Sequence, residues 1–269
     1  MQSATETFQI SLKIAEVYES KFVPALFAEW APHLVDVAGV APGQAVLDVA
    51  CGTGIVARTA AERMRGEGRV VGLDLNEAML AVAGRVRPDI EWRQGAAARL
   101  PFAERSFDAV LCQMALMFFP DRVTALREMG RVVTAAGTVG IVVPGRLQSQ
   151  PAYGPFVEVA ARHAGPEAVS LLSTYWACGD VDGLTALMES AGLRVTSVRT
   201  RVGTARFDSV DDLVSTEVES TPLVERITDD VYARIRADAR EVLRPFTTSS
   251  GRLDVPLEGH LVTARTLAA

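Results

Sequence analysis

A short apolar segment that runs directly into two glycines restricts the fold of this chain more than any other feature. Residues 45–49 form a run of strand-forming residues, and Gly52 and Gly54 follow just before an amphipathic segment that begins at Ile55. Glycine lets the backbone turn sharply and approach a bound molecule closely. A buried strand that passes through a glycine turn into a helix is typical of the first unit of a ligand-binding parallel α/β sheet.

Short β-branched runs continue to alternate with amphipathic segments after this point. Strands are predicted at residues 45–49, 69–74, 90–93, 107–112 and 138–143. Helices are predicted at residues 55–65, 77–86 and 122–133. This alternation predicts an α/β fold of the Rossmann-like, doubly wound type. We expect a seven-stranded, mostly parallel sheet with helical cap insertions.

The remaining segments divide the chain into a core and its additions. The predicted organisation is a single domain over residues 1–269, with N-terminal helices at 1–40, a cofactor-binding core at 41–145 and cap or substrate insertions at 145–180 and 208–250. Within the additions we expect an irregular segment at 145–180, a helix at 181–191, a strand at 194–207, helical structure at 208–246 and a last strand at 260–267. Two packed helices are expected within residues 10–40, where Pro24 interrupts the helical pattern.

Charge and cysteine usage exclude several classes of protein. The net charge is −6, so the chain as a whole does not attract a phosphate backbone or an anionic lipid surface, and neither nucleic acid nor membrane is an expected partner. Cys51, Cys112 and Cys178 are too widely spaced for a zinc cluster, so no metal site is expected. The first ten residues have no signal-peptide pattern, which favours the cytoplasm. The oligomeric state is left open.

Two acidic residues distinguish between the ligands that a glycine loop can hold. Gly52, Gly54 and Ala57 satisfy the dinucleotide pattern G-x-G-x-x-G/A, but Asp48 stands four residues before Gly52, where a carboxylate would repel a pyrophosphate. A ligand with an ammonium and a sulfonium group would be attracted instead. Asp74 ends the second predicted strand, where an acid accepts the ribose hydroxyls of an adenosine. A helix cap is the alternative role for Asp74. Together the two acids favour S-adenosylmethionine.

At this point the sequence resembles the class I S-adenosylmethionine-dependent methyltransferases, in particular their ubiquinone/menaquinone-biosynthesis-like branch (methyltransferase type 11). Residues 48–54 (DVACGTG) are similar to the first motif, and residues 72–75 (GLDL) to the acid of the second strand. Residues 100–102 (LPF) with 106–110 (SFDAV), and residues 118–121 (FFPD) with 126–129 (LREM), match the later motifs in the same order. The resemblance covers roughly residues 40–145.

The resemblance implies a cofactor site along this edge of the sheet. The residues expected to hold S-adenosylmethionine are Asp48, Ala50, Cys51, Gly52, Thr53, Gly54, Asp74, Leu75, Met79, Gly95, Ala96, Ala97 and Gln113. One position departs from the family pattern: Ala96 stands where members often have an aspartate that binds the adenine amino group. The loss of one exposed hydrogen bond costs about 1 kcal/mol at most, so adenine binding is expected to weaken rather than disappear.

The resemblance says little about the methyl acceptor, because the segments outside the shared sheet vary with substrate. We expect a small, apolar or aromatic metabolite. The residues considered for its pocket are Tyr18, Phe22, Met114, Met117, Tyr153, Phe156, Tyr175 and Trp176, with ordinary core packing as the alternative for the aromatic ones. Methyl transfer from a sulfonium needs mainly orientation and desolvation, so no catalytic residue is assigned. Gln113 and His163 are the candidates for a catalytic role, and His33 and His260 are expected to be structural.

Two other functions remain open from the sequence. An NAD(P)-dependent oxidoreductase uses the same glycine geometry, although Asp48 argues against it. A non-catalytic protein that binds S-adenosylmethionine would have the same motifs, because the transfer step requires no residue of its own.

Overall fold

The structure is a computed structural model that describes residues 10–219 and 223–267. Its centre is a seven-stranded sheet with the strand order β3-β2-β1-β4-β5-β7-β6. The strands are β1 (Ala45–Val49), β2 (Arg69–Asp74), β3 (Glu91–Gln94), β4 (Phe107–Gln113), β5 (Val133–Pro144), β6 (Leu193–Phe207) and β7 (Leu253–Thr266). The predicted Rossmann-like, doubly wound α/β fold with seven strands is therefore confirmed.

Strands β1 to β5 all run parallel, and the direction in which successive strands are added to the sheet reverses at β1. Strand β1 pairs with β2 on one side and with β4 on the other, so the order of the strands reverses there. The outer pairs β2–β3 and β4–β5 are parallel as well. Strands β6 and β7 run antiparallel, since Thr196 contacts Thr263 while Thr200 contacts His260. A ligand crevice in such sheets lies at the carboxyl ends of the strands beside the reversal, here those of β1 and β4.

Ten α-helices and one π-helical segment are present among the described residues. They are α1 (Leu12–Val17), the π-helix (Tyr18–Phe27), α2 (Trp30–Val37), α3 (Ile55–Met64), α4 (Glu77–Val86), α5 (Arg122–Val132), α6 (Tyr153–Ala164), α7 (Glu167–Ser173), α8 (Val181–Ser190), α9 (Val210–Glu219) and α10 (Asp229–Leu243). No helix within the described ranges is long and apolar enough to cross a membrane.

The chain forms two compact units. Unit 1 consists of the described residues of Met1–Val143, Val181–Thr200 and His260–Ala269, and unit 2 of those of Pro144–Asp180 and Arg201–Gly259. The core of unit 1 is the sheet itself: residues 46–49 of β1 are fully buried, as expected for a parallel strand covered on both faces. Unit 2 contains α6, α7, α9 and α10.

Two expectations for the segments outside the core were wrong. The segment 145–180 is not irregular, because it forms α6 and α7. Tyr153, Phe156, Val157 and Ala160 are buried at spacings of three and four, which is the period of a helix packed on one side. Strand β7 begins at Leu253 rather than at residue 260. The helical structure expected over 208–246 is present, as α9 and α10.

The N-terminal segment contains three helical elements instead of the two that were predicted. Pro24 has no N–H group to donate, and it lies inside the π-helix between α1 and α2. At the end of this segment the Ala28 amide donates to the Val23 carbonyl over 2.8 Å, a bond that spans five residues. Such wide turns occur as insertions in α-helices and are frequent at functional sites.

Trp92 on β3 requires glycine at two positions of the neighbouring elements. A Cβ atom at Gly72 of β2 or at Gly54 of the loop after β1 would overlap the six-membered part of the Trp92 indole. The indole N–H donates to the Arg87 carbonyl over 2.9 Å, which fixes the ring in place. Both glycines therefore make room for one aromatic side chain that packs beside the glycine loop.

Gly72→Ala is expected to lower the free energy of unfolding by about 2 kcal/mol, because the added methyl group overpacks a rigid ring. Gly84→Ala in α4 is the matched control, since its Cβ would lie 3.8 Å from the nearest Trp92 atom and alanine favours helix. Urea denaturation measures both variants. Equal stability of Gly72→Ala and the wild type would contradict this description of the packing.

Candidate functional site

The loop between β1 and α3 has an unusual backbone. Ala50, Gly52 and Gly54 all have positive φ angles, of 55°, 56° and 89°. Glycine adopts such angles without strain, whereas Ala50 adopts them at a cost. The Cys51 amide donates to the Leu73 carbonyl over 3.0 Å and so extends the pairing of β1 with β2 into the loop. The loop is thus held in one conformation against the sheet edge.

Asp48 is a buried carboxylate directly below this loop. Only 1% of the residue is exposed, and its Oδ2 atom accepts a hydrogen bond of 3.0 Å from the Ala57 amide in the first turn of α3. Burial raises its pKa to about 8; the Ala57 hydrogen bond opposes this shift, and the charge of Asp74 adds to it. A carboxyl group held in this way gains its charge most easily when a cation binds next to it.

Asp74 connects the ends of β1 and β2. Its Oδ2 atom accepts from the Gly52 amide and its Oδ1 atom from the Asn76 amide, both over 2.8 Å. Burial raises its pKa, and these amide hydrogen bonds oppose the shift. The side chain of Asn76 accepts hydrogen bonds from the amides of Ala78 and Met79 and caps the N-terminus of α4. Asp74 is therefore not the helix cap. A carboxylate has about four lone-pair positions, which leaves room for ligand hydroxyls.

The third strand end adds the residues predicted to face an adenine ring. The Gly95 amide donates to the Asp74 carbonyl over 3.0 Å, which places the segment 95–97 beside the second acid. Leu75 is 41% exposed although it is apolar. Met79 is half-buried and Ala96 is exposed, so both are accessible. The glycine loop, Asp74 and the segment 95–97 therefore lie together, as the sequence predicted.

Tyr18 of the π-helix lies over the glycine loop. A methyl group built on Gly52 would lie 3.5 Å from both Cε1 and the hydroxyl oxygen of Tyr18. The ring stacks on Phe22 and Phe27 with centroid distances of 5.9 and 5.3 Å. Burial of the hydroxyl raises its pKa above the ordinary value, and Asp74 and Asp48 raise it further. Tyr18 and Phe22 had been considered for the acceptor pocket; the structure places Tyr18 at the proposed cofactor loop.

An ion pair that the sequence analysis missed holds this segment in place. Arg58 of α3 is only 8% exposed and binds both carboxylate oxygens of Glu19, over 2.7 and 3.3 Å. Bidentate pairs of this kind fix geometry as well as charge. The sequence gives no sign of a role for Glu19, because its partner Arg58 lies next to it only in the folded chain.

Two buried polar atoms of the site have no hydrogen-bond partner within residues 10–219 and 223–267. They are Oγ1 of Thr53 in the glycine loop and Oε1 of Gln113 at the end of β4. The Gln113 side chain is held by its Nε2 atom, which donates to the Phe27 carbonyl over 3.0 Å. Buried polar atoms are normally paired, so these two fit contacts with a bound molecule. With the two acids, they make the site suited to an adenosine that carries a cationic group.

The other candidates have structural contacts. Burial raises the pKa of Cys51, which keeps its thiol protonated. His163 Nε2 lies 2.8 Å from an oxygen of Asp238, and His260 Nδ1 lies 2.9 Å from the Thr200 hydroxyl. Asp108 accepts from the Ala45 amide over 2.8 Å at the start of β1, the opposite end of the sheet from the loop.

Three of the aromatic residues predicted for the acceptor pocket form a cluster within unit 2. Tyr153 and Trp176 have ring centroids 4.8 Å apart, and Tyr175 meets Trp176 edge-on at 5.3 Å. Phe156 is buried to 1% exposure and packs as a core residue. Met117 and Met114, both in unit 1, are buried as well. Burial raises the pKa of Glu217 in α9 to about 7, and this residue was not among the predicted ones.

A family model described as a methyltransferase domain matches residues 46–137, which span β1 to β5. The chain is 42% identical to the demethylmenaquinone methyltransferase of Renibacterium salmoninarum over 47% of this chain and 51% of that one. It is 39% identical to the 2-phytyl-1,4-naphtoquinone methyltransferase of Thermosynechococcus vestitus over 42% and 52%. The match thus covers about half the length of these relatives.

A longer alignment reaches beyond the core. The chain is 33% identical to the demethylmenaquinone methyltransferase of Beutenbergia cavernae over 65% of this chain and 75% of that one. The crystal structure of YcgJ from Bacillus subtilis superposes with a TM-score of 0.61 at 18% identity, over 89% of this chain and 99% of that one. Fold and loop define an α/β protein of the methyltransferase type. The chain belongs to the class I S-adenosylmethionine-dependent methyltransferases.

Asp48→Asn is expected to stabilise the ligand-free protein at pH 8 more than at pH 5. The carboxyl group has a folded pKa of about 8 and an unfolded value near 3.8, so the folded state holds the extra proton between these values and loses stability as the pH rises. Asparagine does not titrate, so the variant does not lose this free energy of unfolding, which amounts in the wild type to at most about 1.4 kcal/mol per pH unit.

Urea denaturation at pH 5, 6.5 and 8 measures this difference. Asp89→Asn is the control, since the Arg87 side chain lowers the pKa of the exposed Asp89 to about 2 and its titration ends well below pH 5. A difference between Asp48→Asn and wild type that stays constant with pH would contradict the raised pKa.

Proposed function

We propose that this chain is an enzyme that transfers the methyl group of S-adenosylmethionine to a small apolar or aromatic metabolite. The observation that carries the proposal is the pair of carboxylates at the glycine loop. Asp48 lies below the loop and Asp74 accepts a hydrogen bond from the Gly52 amide, and both have raised pKa values. A site with two acids of this kind favours a cation and disfavours a dianion.

Each part of the site has a task in this proposal. Asp74 accepts the ribose hydroxyls, and Leu75, Met79 and the segment 95–97 surround the adenine. Ala50, Cys51, Thr53 and Gly54 shape the loop around the methionine part, whose ammonium group is attracted by Asp48. The unpartnered oxygens of Thr53 and Gln113 gain hydrogen bonds when the site is filled. The absence of an acid at Ala96 leaves the adenine amino group without a charged acceptor.

The residues of the chain contribute orientation and exclusion of water rather than a reactive group. The cofactor supplies a methyl group on a positively charged sulfur, which is a leaving group already activated for displacement. Tyr18 covers the loop at Gly52 and excludes water from it, and the Glu19–Arg58 pair holds Tyr18 there. Gln113 stands at the end of β4 beside this loop, where its position is fixed by the Phe27 carbonyl. Such positioning supplies a large part of the acceleration of two-reactant steps.

The class of acceptor follows from the relatives and from unit 2. The relatives from R. salmoninarum and T. vestitus are named as methyltransferases of demethylmenaquinone and of a phytyl-naphthoquinone, which are apolar ring compounds. Unit 2 holds a cluster of aromatic side chains around Trp176. Both support a small apolar or aromatic acceptor. An oxidoreductase that uses NAD(P) is not favoured, because its pyrophosphate would face the two carboxylates.

Asp74→Asn is expected to weaken the binding of S-adenosylhomocysteine at least tenfold, because a neutral amide has one acceptor oxygen in place of two charged ones. Isothermal titration calorimetry of the full chain measures the affinity. Glu77→Gln, an exposed acid in the first turn of α4, is the control and keeps the wild-type affinity.

The same titration separates this proposal from its alternatives. Absence of S-adenosylhomocysteine binding by the wild type at millimolar concentration contradicts the proposal, as does tight binding of reduced NAD. Binding of the cofactor with no transfer of a labelled methyl group to any member of a panel of aromatic and apolar metabolites points to a non-catalytic binding protein.

A further inference from the structure

Gln113, the last residue of β4, has a side chain that is fixed at one end and unpaired at the other. Its Nε2 atom donates to the Phe27 carbonyl over 3.0 Å. Its Oε1 atom is buried and accepts no hydrogen bond from any group in the described part of the chain. Buried polar atoms are normally paired, so this oxygen requires an explanation.

The Phe27 carbonyl determines which end of the Gln113 amide is left for a ligand. A backbone carbonyl only accepts hydrogen bonds, so only the NH2 end of the side-chain amide binds it. Rotating the amide by half a turn would set two acceptor oxygens against each other. The end left for a ligand is therefore the oxygen, and this position offers an acceptor that does not change into a donor while the contact with Phe27 is kept.

Two other glutamine side chains of this protein show how unusual this arrangement is. Gln150 in unit 2 is 1% exposed, and its amide is paired at both ends. Its Nε2 atom donates to the Glu258 carbonyl and its Oε1 atom accepts from the Glu258 amide, each over 3.0 Å. Gln94 at the end of β3 donates to the Leu75 carbonyl over 3.2 Å, but its side chain is exposed to water. Gln113 combines the buried oxygen of the first with the single contact of the second.

The backbone that carries Gln113 is fixed at the same sheet edge as the cofactor loop. Gln113 pairs with Val142 of β5, and the Met114 amide then donates to the Val142 carbonyl over 2.7 Å. Met114 has a positive φ of 51°, and Ala50, one residue past the end of the neighbouring strand β1, has one of 55°. Such angles are costly for residues other than glycine and cluster at functional sites.

We propose that Gln113 restricts the class of methyl acceptor, because its Oε1 atom accepts a hydrogen bond from an O–H or N–H group of that molecule. This inference rests on the proposed function, in which Asp74 accepts the ribose hydroxyls and Asp48 attracts the ammonium group of the cofactor. The oxygen of Gln113 is thus left for the second reactant. A molecule that places an ether or carboxylate oxygen here is disfavoured, because two acceptors would face each other.

The test compares two aromatic probes that differ in the donor group. Fluorine is close to a hydroxyl group in size but has no hydrogen to donate. Binding of 1-naphthol and of 1-fluoronaphthalene to the full chain is measured by calorimetry at pH 7 with saturating S-adenosylhomocysteine. We expect 1-naphthol to bind about tenfold more tightly, because only its hydroxyl pairs with the buried oxygen. Gln113→Met, which keeps the length of the side chain, is expected to reduce this ratio to threefold or less.

Gln94→Met is the matched control. Gln94 also ends a strand and also donates to a backbone carbonyl, but its side chain is exposed, so this variant is expected to keep the wild-type ratio. Should Gln113→Met fail to fold, Gln113→Asn takes its place. This variant keeps the amide but is one methylene group shorter, so it does not reach the Phe27 carbonyl and the ligand at once, and the ratio is expected to fall as well.

A second pair of ligands tests the cofactor as the source of the donor. S-adenosylhomocysteine and its analogue without the α-amino group are titrated into the wild type and into Gln113→Met. We expect the ratio of their affinities to be the same in both proteins. A ratio that falls in the variant, while the ratio for the naphthalene probes stays unchanged, assigns the hydrogen bond to the ammonium group and overturns the proposal.

Two further outcomes are distinguished in the same samples. Equal binding of the two naphthalene probes by the wild type overturns the proposal, as does a ratio that a folded Gln113 variant leaves unchanged. In both cases S-adenosylhomocysteine still binds, so the proposed function stands. Absence of S-adenosylhomocysteine binding by the wild type contradicts the proposed function itself and this inference with it.

Discussion

The hydrogen bond from the Gly52 amide to the Asp74 carboxylate is the interaction on which the proposed cofactor site depends. It joins the ends of β1 and β2 and brings an acid to the glycine loop. The other carboxylate oxygen of Asp74 accepts a hydrogen bond from the Asn76 amide at the start of α4. The backbone carbonyl of Asp74 accepts one from the Gly95 amide after β3. Three strand ends are therefore tied to one residue. The Asp74 carboxylate thus adds a side-chain link to the backbone hydrogen bonds that already join the loop to β2 and residue 95 to Asp74.

The electrostatic consequence of this arrangement is a preference for cations. Burial raises the pKa of both Asp48 and Asp74, and the charge of Asp74 raises the pKa of Asp48 further. A cationic ligand next to the two carboxyl groups would relieve this repulsion. A glycine loop alone fits many nucleotides, since its amides bind any anion or polar group. The two acids turn a general nucleotide loop into one that suits an adenosine with a positively charged side chain.

The sheet and the cofactor edge could be predicted from the sequence because their signals are local. The run 45–49 and the glycines after it lie within a few residues of one another, and Asp74 directly ends the next strand, β2. The residues between 145 and 180 could not be assigned, because Gly and Pro there obscured the helical period of Tyr153, Phe156 and Ala160. Glu19 was missed for a different reason. Its role arises from Arg58, which lies 39 residues away in sequence, and no spacing rule shows such a pair.

The most direct test of the cation-binding site is the number of protons released when S-adenosylmethionine binds at pH 7. Calorimetry in two buffers of different ionisation enthalpy gives this number for the wild type and for Asp48→Asn. Because the pKa of Asp48 is about 8 in the ligand-free protein, a bound cation is expected to expel its proton. The wild type should release most of one proton more than the variant. Equal proton release by the two proteins, with equal affinity, would contradict the account.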